Sequence, residues 1–182
     1  MSRIWYTSDL HFGHDNIRKY EHRPWEDIES MREGLIERWN SKVKDNDDVY
    51  ILGDFAWRGG RMSVDDINEV VKKLNGKKHL IIGNHDEAWV NRSDVKTRLW
   101  EEMVYYKRIV DNGKIVIMCH YPLESWDRQR FASIHIHGHL HSQEPKINQL
   151  NRYNCGCDRW DYYPVTLQEM IDELGYKERI NE

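Results

Sequence analysis

Three cysteines, four prolines and three phenylalanines are few for 182 residues, and what is scarce narrows what the chain can be. Cys119, Cys155 and Cys157 are odd in number and two of them lie two residues apart, so the framework of a disulfide-stapled secreted domain is excluded. Cys155-Gly156-Cys157 could be half of a zinc site, but that would need a second sulfur or imidazole pair committed to it; reduced, buried strand cysteines without a role are the expectation. The longest apolar runs, such as IVIM at 115–118, are far too short to cross a bilayer. The opening MSRIWYTSDLH has no apolar secretion-signal core, so a cytoplasmic location is expected. Charge of one sign is never gathered into a block, and the net charge of −4 excludes the basic track that long nucleic acid requires. With no repeat, linker or low-complexity tract, one domain over 1–182 is expected.

Against that background, short apolar runs share a layout. RIWYTS ends at Asp9-Leu10-His11, VYIL at Gly53-Asp54, HLII at Gly83-Asn84-His85-Asp86, IVIM at Cys119-His120, and SIHIH at Gly138-His139-Leu140-His141. Each reads as a buried strand that stops at a metal-ligand type. Ile28, Met31, Leu35 and Trp39 recur at helical spacing. So do Ile67, Val70, Val71 and Leu74, behind a Ser63 cap that Asp66 reciprocates. Strand alternating with helix predicts a parallel sheet with covered faces. Asn112-Gly113 is a hairpin signal, so the second half is expected to turn antiparallel. Thr166 and Glu169 read as a capping box for a last helix with Leu167, Met170, Ile171 and Leu174 as its apolar stripe and Gly175 as its stop. The prediction is an α/β layered sandwich with mixed sheets.

In open α/β sheets, ligand sites form where loops converge at the carboxyl ends of strands. The stretch IHIHGHLHS, with histidines at 135, 137, 139 and 141, therefore belongs to a cluster drawn from five strand ends. Asp9, His11, Asp54, Asn84, His120, His139 and His141 supply carboxylate, amide and imidazole donors, a set that suits divalent Mn, Fe, Ni or Zn. Seven donors are too many for one tetrahedral ion. Two ions sharing a carboxylate fit better. His135 and His137, inside the strand, read as structural or as supports behind the ligands.

The order D-x-H, G-D, G-N-H-D, H, G-H-x-H from Asp9 to His141 resembles the calcineurin-like metallophosphoesterase superfamily, with small bacterial and phage members most similar. The resemblance implies a four-layer α/β/β/α sandwich. It implies two divalent cofactor ions, manganese first, with Asp9, His11 and His141 on one, Asn84, His120 and His139 on the other, and Asp54 bridging. It implies that His85 stands off the metals and protonates the leaving group, while a metal-bridging hydroxide attacks phosphorus. One departure stands out. GDFAWRGG puts Trp57 where protein phosphatases of the superfamily carry a second aspartate, so His85 needs another group to orient it.

Around the site, His14 and Asn16 are candidates for substrate contact or loop anchoring, and Arg58, Arg61, Arg128 and Arg130 for phosphate clamps. Trp57 and Trp126 could stack a base or simply pack. Asn84 can serve substrate as well as metal. The expected function is hydrolysis of small phosphodiester or nucleotide-like phosphoesters, with no membrane partner. A nuclease of the same superfamily and a non-catalytic scaffold for protein partners are the alternatives.

Overall fold

A computed structural model describes residues 2–58, 62–143 and 150–178. The first sheet holds β1 (Ile4–Thr7), β2 (Asp48–Ile51), β3 (Lys77–Ile81) and β4 (Glu102–Val104), all parallel and in that order. Thr7 pairs Ile51 and Ile81 pairs Val104, so the strands finish level and their following loops leave from one edge. The second sheet runs β5 (Tyr106–Asp111), β6 (Lys114–Cys119), β7 (Ile134–His137), β8 (Arg152–Asn154). Only β5 and β6 are antiparallel, across a turn with both Asn112 and Gly113 at positive φ. β6, β7 and β8 are parallel, so the antiparallel expectation for the second half holds for the hairpin alone.

Alternation along the strands decides what each face meets. Trp5, Val49, Ile51 and Leu80 share a core with α2 (Ile28–Lys42) and α3 (Val64–Lys73), through Met31, Leu35, Trp39, Ile67, Val70 and Val71. Tyr6, Tyr50 and Ile81 face Val116, Met118, Ile134 and Ile136 across the gap between the sheets. Leu167 and Met170 of α4 (Leu167–Leu174) join this second core. The other face of the second sheet lies under the segment 121–133, where Trp126 packs on His135. The fold is α/β, two facing sheets with helices.

The caps follow from side-chain chemistry. Ser63 and Asp66 bond each other's backbone N–H at α3, as Thr166 and Glu169 do at α4. Asp27 and Ser30 do the same for α2. A short helix, α1 (Asp15–Tyr20), follows the first strand's loop. Among the described residues no helix is long and apolar enough to cross a membrane.

Candidate metal centre

Five donors stand on backbone that L-residues seldom adopt: Asp9 (φ 57°), His11 (53°), Asp54 (52°), His139 (71°) and His141 (52°). Left-handed conformations cost about 1–2 kcal/mol each, so the surroundings must over-determine them. They do so by tying the loops together. The Asp9 N–H donates to the Gly53 carbonyl, and His11 N–H to that of Asp54, each at 3.0 Å. Asp86 accepts from the N–H groups of Asp54 (2.8 Å), Phe55 (3.0 Å) and Gly83 (3.0 Å), locking the second and third loops on one buried carboxylate. Burial drives the Asp86 pKa up to about 7, against those hydrogen bonds. Gly53 sits so close beneath the His120 ring that a Cβ would collide with it.

The donors gather in overlapping groups, with ligand atoms within 4.8 Å of one another: Asp9, His11 and His141; His11, Asp54 and His85; Asp54, His120 and His139. Asn84 Oδ1 lies 3.1 Å from His120 Nε2 and joins the last group. Asp54 Oδ2 is 3.6 Å from His11 Nε2 and 3.6 Å from His120 Nε2, so one carboxylate oxygen faces both ends of the cluster. Both ring nitrogens of His11 are buried with no hydrogen-bond partner among the described residues. Burial of that kind leaves a lone pair seeking an electrophile, and the donor chemistry fits divalent cations.

Behind the donors, other groups set which nitrogen faces inward. His120 donates from Nδ1 to the Leu52 carbonyl at 2.7 Å, leaving Nε2 toward Asp54. His141 Nδ1 is 3.1 Å from Asp158 Oδ2, and Asp158 in turn takes a two-pronged pair from the buried Arg23 at 2.7 and 2.9 Å. Arg23 also donates to the Asp9 and Leu10 carbonyls. Ser8 Oγ donates to Asp9 at 2.6 Å, and the His139 N–H reaches the same carboxylate. Burial opposes ionisation of Asp158, but His141 and Arg23 outweigh it and hold its pKa below the usual value. Burial likewise pushes His141 down, yet the Asp158 hydrogen bond and the Asp9 charge raise it overall. His11 is driven well below its usual pKa by burial and then by neighbouring cations. Burial raises Asp9; a divalent cation would reverse that preference.

At the rim, His14 lies flat on Trp57 (ring centroids 4.4 Å apart, planes 17° apart), and Trp57 meets His85 edge-on at 4.7 Å. Burial, then His85, brings the His14 pKa down to about 4. Asn16 is exposed in the first turn of α1. Arg58 reaches the Ala88 carbonyl at 3.4 Å, beside the loop that carries His85. Arg128 lies over Phe131, a ring 74% exposed, and no contact joins it to the donors. Arg130 sits in the same segment, in the 3-10 turn Gln129–Phe131; Arg61 lies outside the described residues. Trp126 is buried and donates to the Ser133 carbonyl, so it packs and offers no face to a base. His135 and His137 are buried in β7, away from the donor groups. Cys155 and Cys157 are free and buried, just beyond β8.

Sequence reasoning missed Asp158 and Arg23, which no spacing signal connects, and Tyr121, half-exposed with its ring 5.0 Å from His120 and 4.9 Å from His139. Asp86 was visible only as the end of G-N-H-D.

The family model for calcineurin-like phosphoesterases matches residues 2–173. The chain belongs to the calcineurin-like phosphoesterase family. It is a metal-dependent phosphoester hydrolase by that membership, and the donor groups above are able to hold its divalent ions. This phosphoesterase is 32% identical over 176 residues to an uncharacterised protein of Methanocaldococcus jannaschii, covering 94% of this chain and 90% of that one. It is 29% identical over 199 residues to the gene 66 protein of Mycobacterium phage D29, covering 96% and 98%. Its fold is similar to that of a protein of unknown function from Aquifex aeolicus (TM-score 0.71, 25% identity, 96% of this chain and all of that one). An archaeal phosphodiesterase shares the fold at a TM-score of 0.50 and 20% identity, covering 84% of this chain and 82% of that one.

Proposed function

We propose that this phosphoesterase is a binuclear enzyme, one domain throughout, acting on small phosphodiester or nucleotide-like substrates. The observation that carries the binuclear reading is Asp54 Oδ2, 3.6 Å from an imidazole nitrogen of each donor group. Asp9, His11 and His141 would hold one ion, Asn84, His120 and His139 the other, with Asp54 shared; the orphaned nitrogens of His11 support the fit. Two divalent ions, manganese first and iron, nickel or zinc as alternatives, supply Lewis acidity and make water nucleophilic near neutral pH when bound.

The chain's own groups do the rest. Asp54 accepts the His85 backbone N–H at 2.9 Å and so fixes the loop beside the shared carboxylate. His85, its side chain 32% exposed, donates a proton to the leaving oxygen. His14, Asn84 and Arg58 line the approach to His85 and are the substrate-binding candidates we retain; Arg128, engaged with Phe131, is left out. Two features support small diesters or nucleotides. The half-exposed rim ring of Tyr121 suits a base or aryl group, and the net charge of −4 disfavours long nucleic acid. Three free cysteines, two of them buried, support a reducing, cytoplasmic setting.

Asp54→Ala tests the metal arrangement. Turnover should vanish and bound metal, measured by plasma mass spectrometry, should fall sharply, because two cations would be left without their shared anion. Two tightly held ions with near-normal turnover would overturn it. For substrate class, kcat/KM on bis(4-nitrophenyl) phosphate should at least match that on 4-nitrophenyl phosphate, with phosphoserine peptides hardly turned over; faster phosphopeptide hydrolysis would reverse the preference.

A further inference from the structure

His85 has the exposure of a proton donor, but among the described residues no hydrogen bond aims its ring. Among the described residues the nearest carboxylate oxygen to its Nε2, Asp54 Oδ2, is 3.8 Å away. The bond from its backbone N–H to Asp54 fixes the chain and leaves the imidazole torsion, intrinsically broad, unset. What touches the ring is aromatic. The Trp57 indole meets it at 4.7 Å with planes 68° apart, and the His11 ring lies 5.1 Å away. Edge-to-face contact at that spacing is the arrangement that ring quadrupoles favour.

The indole is held by stacking: the His14 ring covers one of its faces at 4.4 Å, while the Trp57 backbone N–H donates to the Phe12 carbonyl at 2.8 Å and fixes the chain that carries it. That face is closed to a substrate base. The rings of His14, Trp57 and His85 thus form a chain leading from the loop after β1 to the leaving-group side of the site. We infer that Trp57 is the positioning residue of His85, setting the imidazole's orientation by ring contact where a hydrogen-bonded partner is lacking. His14 acts one step further back by holding the indole. The inference rests on the reading of His85 as the proton donor.

The test compares Trp57→Ala, Trp57→Phe, His85→Asn and the Trp57→Ala/His85→Asn pair, each manganese-loaded with its metal content measured. The substrates are bis(4-nitrophenyl) phosphate and diphenyl phosphate, whose phenolate needs protonation more. An aromatic contact of this kind biases orientation about two- to tenfold. Trp57→Ala should therefore lower kcat on diphenyl phosphate by about that factor, leave KM nearly unchanged and spare the nitrophenyl ester. Trp57→Phe should restore the rate, and the loss should vanish in the His85→Asn background. Recorded on the diamagnetic zinc-loaded protein, the ring C–H resonances of His85, assigned by their absence from His85→Asn, should move in Trp57→Ala as the indole ring current is removed. Unmoved resonances, or a Trp57 loss that persists in full without His85, would overturn the inference; so would an effect carried by KM alone, which would make Trp57 a substrate platform. An equal loss on both esters in His85→Asn would overturn the acid role, and the resonance shift separates that failure from a failure of the ring contact.

Discussion

Four histidines alternate through residues 134–142, and the fold divides them two and two. His135 and His137 stay in β7 and point to the sheet face under segment 121–133, while Ile134 and Ile136 point into the core between the sheets. His135 donates from Nδ1 to the Ile117 carbonyl and accepts the Leu123 N–H, as a neutral strand histidine can. His139 and His141 come after Gly138 and themselves take positive φ, 71° and 52°, so the alternation ends. Their rings turn toward Asp54 and Asp9. Residue type and spacing are the same on both sides. The backbone beyond Gly138 makes the difference, and so does what each ring finds opposite it.

The largest effects should break this pairing into opposites. His139→Ala and His141→Ala should each lower turnover by about 10³-fold or more, since several kcal/mol of charge stabilisation goes with a displaced ion. Bound metal should fall while urea unfolding of the metal-free protein changes little. His135→Ala should do the reverse, costing about 2–4 kcal/mol in unfolding free energy while folded molecules keep turnover within a few-fold. Equal metal loss from His135→Ala and His141→Ala would erase the distinction.

Asp158→Asn should fall between the two kinds. It leaves Arg23 buried without its counter-charge, a cost of about 3–5 kcal/mol in urea unfolding. It also removes the acceptor behind His141, lowering metal affinity about 10- to 100-fold by titration calorimetry. A stability loss without an affinity loss would cut Asp158 out of the centre. Because the folded pKa of Asp158 is depressed, its contribution is present above the ordinary aspartate range and is lost only as pH falls through the lower folded value.

A pH series on the metal-free protein sharpens the buried half of the comparison. Burial brings His135 down to about 4 and His137 to about 3 from an ordinary 6.5. Folded pKa values below the unfolded one mean that stability is fully present above about pH 6.5 and is lost as pH falls toward the folded values. For His135 that amounts to about 3 kcal/mol. Unfolding free energy should decline from pH 7 to 4, and His135→Gln should flatten the slope; an unchanged slope would show that other groups carry the acid sensitivity.

Gly138→Ala should have the smallest effect. Its Cβ would press on Ser8 and come within 2.7 Å of Asp9 Oδ2, so the donor edge must shift slightly. A stability loss of about 1–3 kcal/mol, with weaker metal binding, is expected from overpacking at that point; a neutral outcome would show that the turn tolerates a side chain.

The donors were legible because each follows an apolar run that ends at the edge of a sheet, and the caps of α3 and α4 because their partners lie three residues apart. β4 and β8 were not legible. EMV and RYN are three residues each, too short to show a period, and take strand form through their neighbours' hydrogen bonds. Arg23 and Asp158 are 135 positions apart, and neither sits in a pattern that names the other. The absence of a carboxylate at position 57 was readable, while the ring contact standing in its place was not.

By itself, then, the sequence determined the kinds of donor, their order at strand ends, the helix caps and the hairpin turn, because propensity, capping and side-chain alternation act across a few residues. Only the tertiary structure decided which histidines of 135–141 leave the sheet, that Asp54 faces both donor groups, that Arg23 anchors Asp158 behind His141, and that Trp57 rather than a carboxylate meets His85. Those contacts join segments 28 to 135 residues apart. Their loop closure is offset by the packing of both cores together, and no local pattern carries that sum.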